Sequence, residues 1–113
     1  MVSARSLARA MLCALFLVNQ LPPAGAEEAT LALGRKVFLE ISQPPCGLCH
    51  TLADAGAAGQ VGPILDELKP TADRVRTAVT NGIGPMPPNE GLTKEQVEAV
   101  ALYVSAVAGK SAR

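Results

Sequence analysis

The sequence predicts an all-α protein built from four or five short helices. Apolar residues recur at helical spacing in several segments, and no segment alternates with the period of two that a half-buried strand requires. Nine prolines and ten glycines among the 113 residues separate these segments into short elements. A chain of this length is expected to form one small domain.

The first 26 residues are predicted to be a secretory signal peptide. Two arginines, Arg5 and Arg9, precede an apolar run from Ala10 to Val18. The small residues Ala24-Gly25-Ala26 then form a cleavage site, which leaves residues 27–113 as the mature domain. The apolar run is too short to cross roughly 30 Å of hydrocarbon. We therefore expect a periplasmic protein that does not span a membrane when mature.

Removal of this segment changes the composition from which function is inferred. The mature chain keeps one pair of cysteines, one histidine and one methionine, and its eight Lys and Arg face ten Asp and Glu, a net charge of −2. No basic run is present, so nucleic acid is not an expected partner. A single histidine also excludes most hydrolase and zinc-enzyme sites, which need more bases or ligands.

Four helices and two irregular stretches account for most of the mature chain. The predicted helices are Thr30–Glu40, Leu65–Leu68, a helix from the N-cap Thr71 to about Asn81 closed by Gly82, and a last helix that stops at Gly109. Thr93 and Gln96 have the spacing of a capping box at the start of the last helix. Residues 53–63 and 83–92 are predicted loops, rich in small residues and in prolines respectively.

The segment Cys46-Gly47-Leu48-Cys49-His50 has the C-x-x-C-H pattern of covalent haem attachment. Two thiols three positions apart on a turn can reach the two vinyl groups of one haem and become thioethers. The adjacent His50 can then bind the iron axially through its imidazole. The pattern predicts one covalent haem c, held by Cys46 and Cys49.

Three other interpretations of this segment compete with haem. A structural disulfide would leave His50 without a role, and a thioredoxin-like redox pair needs a βαβ surrounding that the chain lacks. A zinc site needs four ligands, and two cysteines and one histidine fall short unless a carboxylate joins them.

The second axial ligand and the partner of His50 are inferred from the residues that remain. Met86 lies in the loop Gly84-Pro85-Met86-Pro87-Pro88 and is the favoured sixth ligand, since a core-filling role is unusual for a methionine in such a loop. A ligating histidine usually donates its other N–H to a carbonyl or carboxylate. Pro63, thirteen residues after His50, is the predicted acceptor.

On these residues the mature chain resembles the class I c-type cytochromes over nearly its whole length. The matching features are the Cys46 to His50 motif, Gly62-Pro63 behind it, and Met86 followed by Pro87. The resemblance implies the cytochrome c fold, with four or five short helices wrapped around one covalently attached haem. It also implies a close crossing of the first and last helices, which would bring together Gly34, Phe38, Val100 and Tyr103.

The expected function is one-electron transfer between a dehydrogenase and a terminal acceptor, such as an oxidase or another cytochrome. One alternative is a haem peroxidase or gas-binding sensor with a displaceable methionine, although no second histidine is present to serve it. Another is a dedicated subunit of one dehydrogenase. Residues 50–52 and 62–70 resemble the small cytochromes that accept electrons from periplasmic molybdenum sulfite dehydrogenases.

Docking to redox partners is expected to use a small apolar patch with charge at its rim. The residues predicted to surround the exposed haem edge are small or apolar: Gly47, Leu48, Ala57, Ala58, Val61, Ile83, Pro85 and Pro87.

Overall fold

The computed structural model describes residues 21–110, which are mostly helical. The elements are, in order, α1 (Ala24–Lys36), a π-helical turn (Val37–Ile41), α2 (Cys46–Cys49), β1 (Thr51–Leu52), a 3-10 turn (Ala53–Ala55), β2 (Ala57–Ala58), α3 (Leu65–Leu68), α4 (Ala72–Asn81) and α5 (Lys94–Val107). The two strands pair antiparallel, and each has only two residues. The predicted all-α class is therefore confirmed.

Two helix starts are fixed by side-chain caps that the sequence predicted. At α4 the Thr71 hydroxyl accepts from the Arg74 backbone N–H at 3.3 Å. At α5 the Thr93 hydroxyl accepts from the Gln96 N–H at 3.1 Å, and the Gln96 side-chain oxygen accepts from the Thr93 N–H at 2.9 Å. Each cap satisfies N–H groups that have no partner within the helix.

The first helix differs from its predicted bounds of Thr30–Glu40. It begins at Ala24 and ends at Lys36, where the chain continues as the π-helical turn to Ile41. Apolar periodicity did not predict the start of the helix at Ala24, because residues 24–29 are exposed and carry no apolar stripe. Ala24 lies inside the predicted signal peptide, whose residues 1–20 fall outside the described part of the chain. None of the helices in residues 21–110 is long and apolar enough to cross a membrane.

Helices α1 and α5 cross at Gly34. A Cβ on Gly34 would lie 2.2 Å from the Ala99 carbonyl oxygen and 2.4 Å from the Tyr103 Cβ, so only glycine allows this approach. Further along the chain, Phe38 and Tyr103 pack edge to face with ring centroids 6.4 Å apart. The expected crossing of the first and last helices is confirmed, and Val100 is buried beside it.

The core extends from this crossing to α3 and α4. Its buried apolar residues include Val37, Phe38, Leu52, Leu65, Val79, Val100 and Val104. Helix α4 is tied to α5 by the Arg76 guanidinium, which donates to the two Glu98 carboxylate oxygens at 2.7 and 2.9 Å.

Two carboxylates connect the 3-10 turn after the cysteine segment to α5. Asp66 accepts from the Ala53 N–H at 2.8 Å with one oxygen and from the Gly109 N–H at 3.0 Å with the other. The Tyr103 hydroxyl donates to Asp54 at 2.5 Å. Burial, followed by the hydrogen bond to Asp54, raises the pKa of Tyr103 above its usual value, so the hydroxyl keeps its proton. The segment that carries the candidate site is thus fixed to the helical scaffold.

We predict that Gly34→Ala destabilises the protein by about 1–3 kcal/mol, because its methyl group overlaps the α5 backbone and must force the helices apart. Denaturant unfolding of the holoprotein measures the change. Gly91→Ala is the matched control, since a Cβ there meets no atom within 4 Å. Equal stability of the two variants would contradict the close crossing.

Candidate functional site

The two cysteines lie at the ends of α2, which is a single turn of helix. The turn follows Pro45, whose carbonyl accepts from the Leu48 N–H at 3.0 Å, and it closes where the His50 N–H donates to the Cys46 carbonyl at 3.0 Å. Both cysteines are free thiols and are half-buried. The structure therefore holds two thiols on one turn, and they are not joined in a disulfide.

His50 leaves α2 in an extended conformation and turns its ring towards the following loop. Its Nδ1 lies 2.8 Å from the Pro63 carbonyl oxygen. A carbonyl can only accept, so Nδ1 carries the proton and donates, and the lone pair of the neutral ring is on Nε2. The structure thus brings together the two residues that the sequence paired, and it leaves a nitrogen available for a metal beside the two thiols.

Residues 59–63 pack directly on the back of the Cys46 to His50 segment. The Gly62 N–H donates to the Cys49 carbonyl at 2.7 Å, and a Cβ on Gly62 would lie 2.5 Å from the His50 Cε1. A Cβ on Gly59 would lie 2.6 Å from the His50 backbone nitrogen. These two glycines let the loop backbone touch the imidazole and its peptide, which fixes the ring plane. Gly59 was not singled out in the sequence, where it is one small residue among many.

Ser42 is a contact of the site that the sequence did not predict. Its hydroxyl accepts from the Cys46 N–H at 3.1 Å and lies 3.3 Å from the Cys46 sulfur. Burial raises the pKa of the Cys46 thiol, and the hydrogen bond with Ser42 lowers it by less. Before haem is attached, burial thus favours the protonated form of the Cys46 thiol.

Met86 closes a tight turn that begins at Ile83. The backbones of these two residues exchange N–H···O hydrogen bonds of 3.0 Å in both directions, and Gly84 takes a positive φ of 54° between them. A Cβ on Gly82 would lie 2.7 Å from the Met86 carbonyl oxygen. Met86 is half-buried and packs against the core, in a turn whose backbone is held on both sides.

Three of the residues predicted to form an apolar docking patch are large and exposed. The exposed fractions are 66% for Leu48, 83% for Val61 and 64% for Ile83. Ala58, Pro85 and Pro87 are exposed as well, whereas Gly47 and Ala57 are half-buried. Large apolar side chains left outside the core of a small chain often mark a contact surface.

The donor set of this site fits a covalently attached haem. Two free thiols leave one helical turn, and the next residue presents an imidazole whose other nitrogen is already bound. A tetrahedral zinc site would need a fourth ligand beside Cys46, Cys49 and His50.

Comparison with known proteins identifies the family. Residues 29–104 match the family model described as cytochrome C oxidase, cbb3-type, subunit III. The crystal structure of the c-type cytochrome SorU from Sinorhizobium meliloti is 72% identical, with a TM-score of 0.74, and the match covers 76% of this chain and 99% of that chain. No curated protein matches the chain.

The chain belongs to the cytochrome c family, and it is a mono-haem c-type cytochrome. It has the cytochrome c fold and binds haem c covalently, with Cys46 and Cys49 at the spacing of the attachment motif.

We predict that Gly62→Ala separates His50 from Pro63, because the added methyl group occupies the space of the imidazole ring. NMR of the ferrous holoprotein should show loss of the hydrogen-bonded Nδ1 proton of His50, and the free energy of unfolding should fall by about 1–3 kcal/mol. Gly91→Ala serves again as the control. A Gly62→Ala protein that keeps the His50 proton signal would show that the glycine does not position the ring.

Proposed function

We propose that this cytochrome is a periplasmic one-electron carrier, with His50 and Met86 as the axial ligands of the haem iron and Cys46 and Cys49 as the thioether attachments. The observation that carries the proposal is the 2.8 Å contact of the His50 Nδ1 with Pro63, which leaves Nε2 available beside the two thiols. When bound, the haem supplies a ferric–ferrous couple. Electron transfer fits these residues better than catalysis does.

His50 is held in one tautomer and one orientation. The Pro63 carbonyl keeps the proton on Nδ1, and the Gly62 backbone limits rotation of the ring. A hydrogen bond of this kind also raises the basicity of the ligating nitrogen. The same imidazole can therefore serve both oxidation states with little movement.

Met86, which lies in a loop well after His50 in the sequence, is the proposed second ligand of the haem iron. Its turn is stiffened by the paired backbone bonds with Ile83 and by the contact of Gly82. A thioether ligand raises the reduction potential, and a ligand held in place blocks the open position that oxygen or peroxide chemistry needs.

The peroxidase and gas-sensor alternative finds little support in the surroundings of α4. Since the chain has no second histidine, the groups that such a site could use in α4 are two arginines, Arg74 and Arg76. Arg74 is exposed, and Arg76 is engaged by Glu98 and Asp73. Because two carboxylates hold Arg76, it is a poor candidate for an acid–base group.

We also propose that residues 1–26 are removed on export and that residues 27–113 form the mature cytochrome. The length of the match supports this boundary, since 76% of this chain covers 99% of SorU. Cleavage after Ala26 would shorten α1 at its exposed end, and the crossing at Gly34 would be kept.

As partners we propose a dehydrogenase donor and an oxidase or second cytochrome as acceptor. The candidate donor is a molybdenum sulfite dehydrogenase, supported by the resemblance of residues 50–52 and 62–70 described above. The contact would use the exposed Leu48, Val61 and Ile83. A small apolar contact suits a complex that must form and dissociate at every turnover.

We predict that Met86→Ala keeps the covalent haem but opens the sixth position of the iron. The ferric protein should lose its weak far-red charge-transfer band, and the ferrous protein should bind carbon monoxide rapidly at neutral pH. Ile83→Ala is the matched control from the same turn and should retain the band. If wild-type ferric protein lacks the band, or Met86→Ala keeps it, Met86 is not a ligand.

We predict that Val61→Ser and Ile83→Ser slow reduction by the donor by roughly tenfold, through lost apolar contact in the complex. Stopped-flow kinetics with the purified dehydrogenase measure the second-order rate. Leu102→Ser, at an exposed position of α5 outside the predicted patch, should leave it unchanged. A rate that falls steeply with ionic strength, with no effect of the serine variants, would indicate a charged contact instead.

A further inference from the structure

Ser42 is a buried polar residue to which the proposed function assigns no role. Its exposed fraction is 0%, and among residues 21–110 it is the one buried polar residue besides Tyr103, whose hydroxyl is bonded to Asp54. Burying a hydroxyl in an apolar surrounding costs free energy unless its hydrogen bonds are made. Both side-chain contacts of Ser42 are with one residue, Cys46.

The position of Ser42 follows from the end of the first helical segment. The π-helical turn stops at Ile41, and Ser42 takes an extended conformation while its own N–H donates to the Val37 carbonyl at 3.1 Å. Its hydroxyl is thereby placed at the start of α2, where the Cys46 N–H has no partner within its own helical turn. Ser42 fills the role of a cap from four residues upstream.

We propose that Ser42 is the positioning residue for Cys46, holding its sulfur for thioether attachment and donating a hydrogen bond to that sulfur afterwards. The inference rests on the proposed attachment of haem at Cys46. In the thiol, either the serine or the cysteine can donate across the 3.3 Å separation. In the thioether the sulfur has no proton, so only the serine can donate.

The attachment step needs no further reactant. In that step the S–H bond of Cys46 would break and the sulfur would form an S–C bond with one vinyl carbon, while the vinyl π bond would break and the proton would go to the other vinyl carbon. No electron leaves or enters. Ser42 can keep both of its hydrogen bonds through this change, because its oxygen accepts from the Cys46 N–H and its own proton can be donated to the sulfur.

The two cysteines are held by different contacts, which makes the inference specific to one of them. Cys46 is held by the Ser42 side chain, whereas the Cys49 carbonyl accepts from the Gly62 N–H at 2.7 Å. Loss of the Ser42 hydroxyl should therefore impair attachment through Cys46 and spare attachment through Cys49.

The test introduces Ser42→Ala into two single-cysteine backgrounds of the full, exported chain. In Cys49→Ala only Cys46 can attach haem, and in Cys46→Ala only Cys49 can. Intact-protein mass spectrometry measures the fraction that carries covalent haem. Ser42→Ala removes both hydrogen bonds to Cys46, so we expect it to lower this fraction by roughly fivefold in the Cys49→Ala background and to leave it unchanged in the Cys46→Ala background.

Ser105→Ala controls for removal of a hydroxyl, since Ser105 donates to the Leu102 carbonyl within α5. An equal fall in both backgrounds would give Ser42 a general folding role and overturn the inference, as would no fall in either. If wild-type protein carries its haem at neither cysteine, the proposed attachment itself fails, and peptide mapping of the same sample separates that result from the others.

Discussion

The approach of α1 to α5 at Gly34 is the constraint on which the rest of the molecule depends. With no Cβ in the way, the α1 backbone rests on Ala99 and Tyr103, and the next turn brings Phe38 onto the Tyr103 ring. The crossing thereby fixes the position and direction in which the chain leaves α1 and continues through the π-helical turn to Ser42. On the other side of the crossing, the Tyr103 hydroxyl reaches Asp54. The contact therefore fixes the segment of the cysteines and histidine from both ends.

The two irregular stretches that carry His50's partner and Met86 are held by the same means. Gly62 lets the loop backbone approach the His50 imidazole, and Gly82 lets the backbone approach the Met86 carbonyl, each to a distance that a side chain would prevent. Backbone hydrogen bonds then complete the fixation, from Gly62 to Cys49 and between Ile83 and Met86. Binding residues on loops can be held as firmly as those on helices when the supporting contacts involve the backbone. The proposed one-electron carrier, which would change charge with little rearrangement, would benefit from this arrangement.

Local signals made much of this predictable from the sequence. The bounds of α3, the Thr71 cap and the Thr93–Gln96 capping box depend on residues within a few positions of one another, and the structure confirms them. The early start of α1 could not be predicted from periodicity, because the added turns are exposed. The two hydrogen bonds that the Asp66 carboxylate accepts join segments that are far apart in sequence, so no local pattern predicts them.

In the candidate site, too, local sequence features were predicted and features that depend on the folded chain were not. Cys46, Cys49 and His50 form one pentapeptide, and the contact of His50 with Pro63 was expected from the need of a histidine for a second partner. Ser42 was missed although it is only four residues from Cys46. Its role depends on how the prolines between Ser42 and Cys46 turn the chain and on the complete burial of Ser42. The spacing of the residues in the sequence predicts neither. The pairing of Met86 with His50 across one iron stays a prediction.

Ligation and docking, as proposed, share three short segments of the chain. Leu48 lies between the two cysteines, Val61 precedes Gly62, and Ile83 pairs with Met86. In each segment the backbone makes the contacts that hold the site, and the large apolar side chain is left exposed. Because these exposed side chains contribute little to the core, they can be substituted to suit a different partner with little loss of stability. Gly62 and Gly82 lack that freedom, since a Cβ on Gly62 would overlap the His50 ring and one on Gly82 would crowd the Met86 carbonyl oxygen. Selection for a new partner would therefore act on the apolar side chains and leave the site geometry intact.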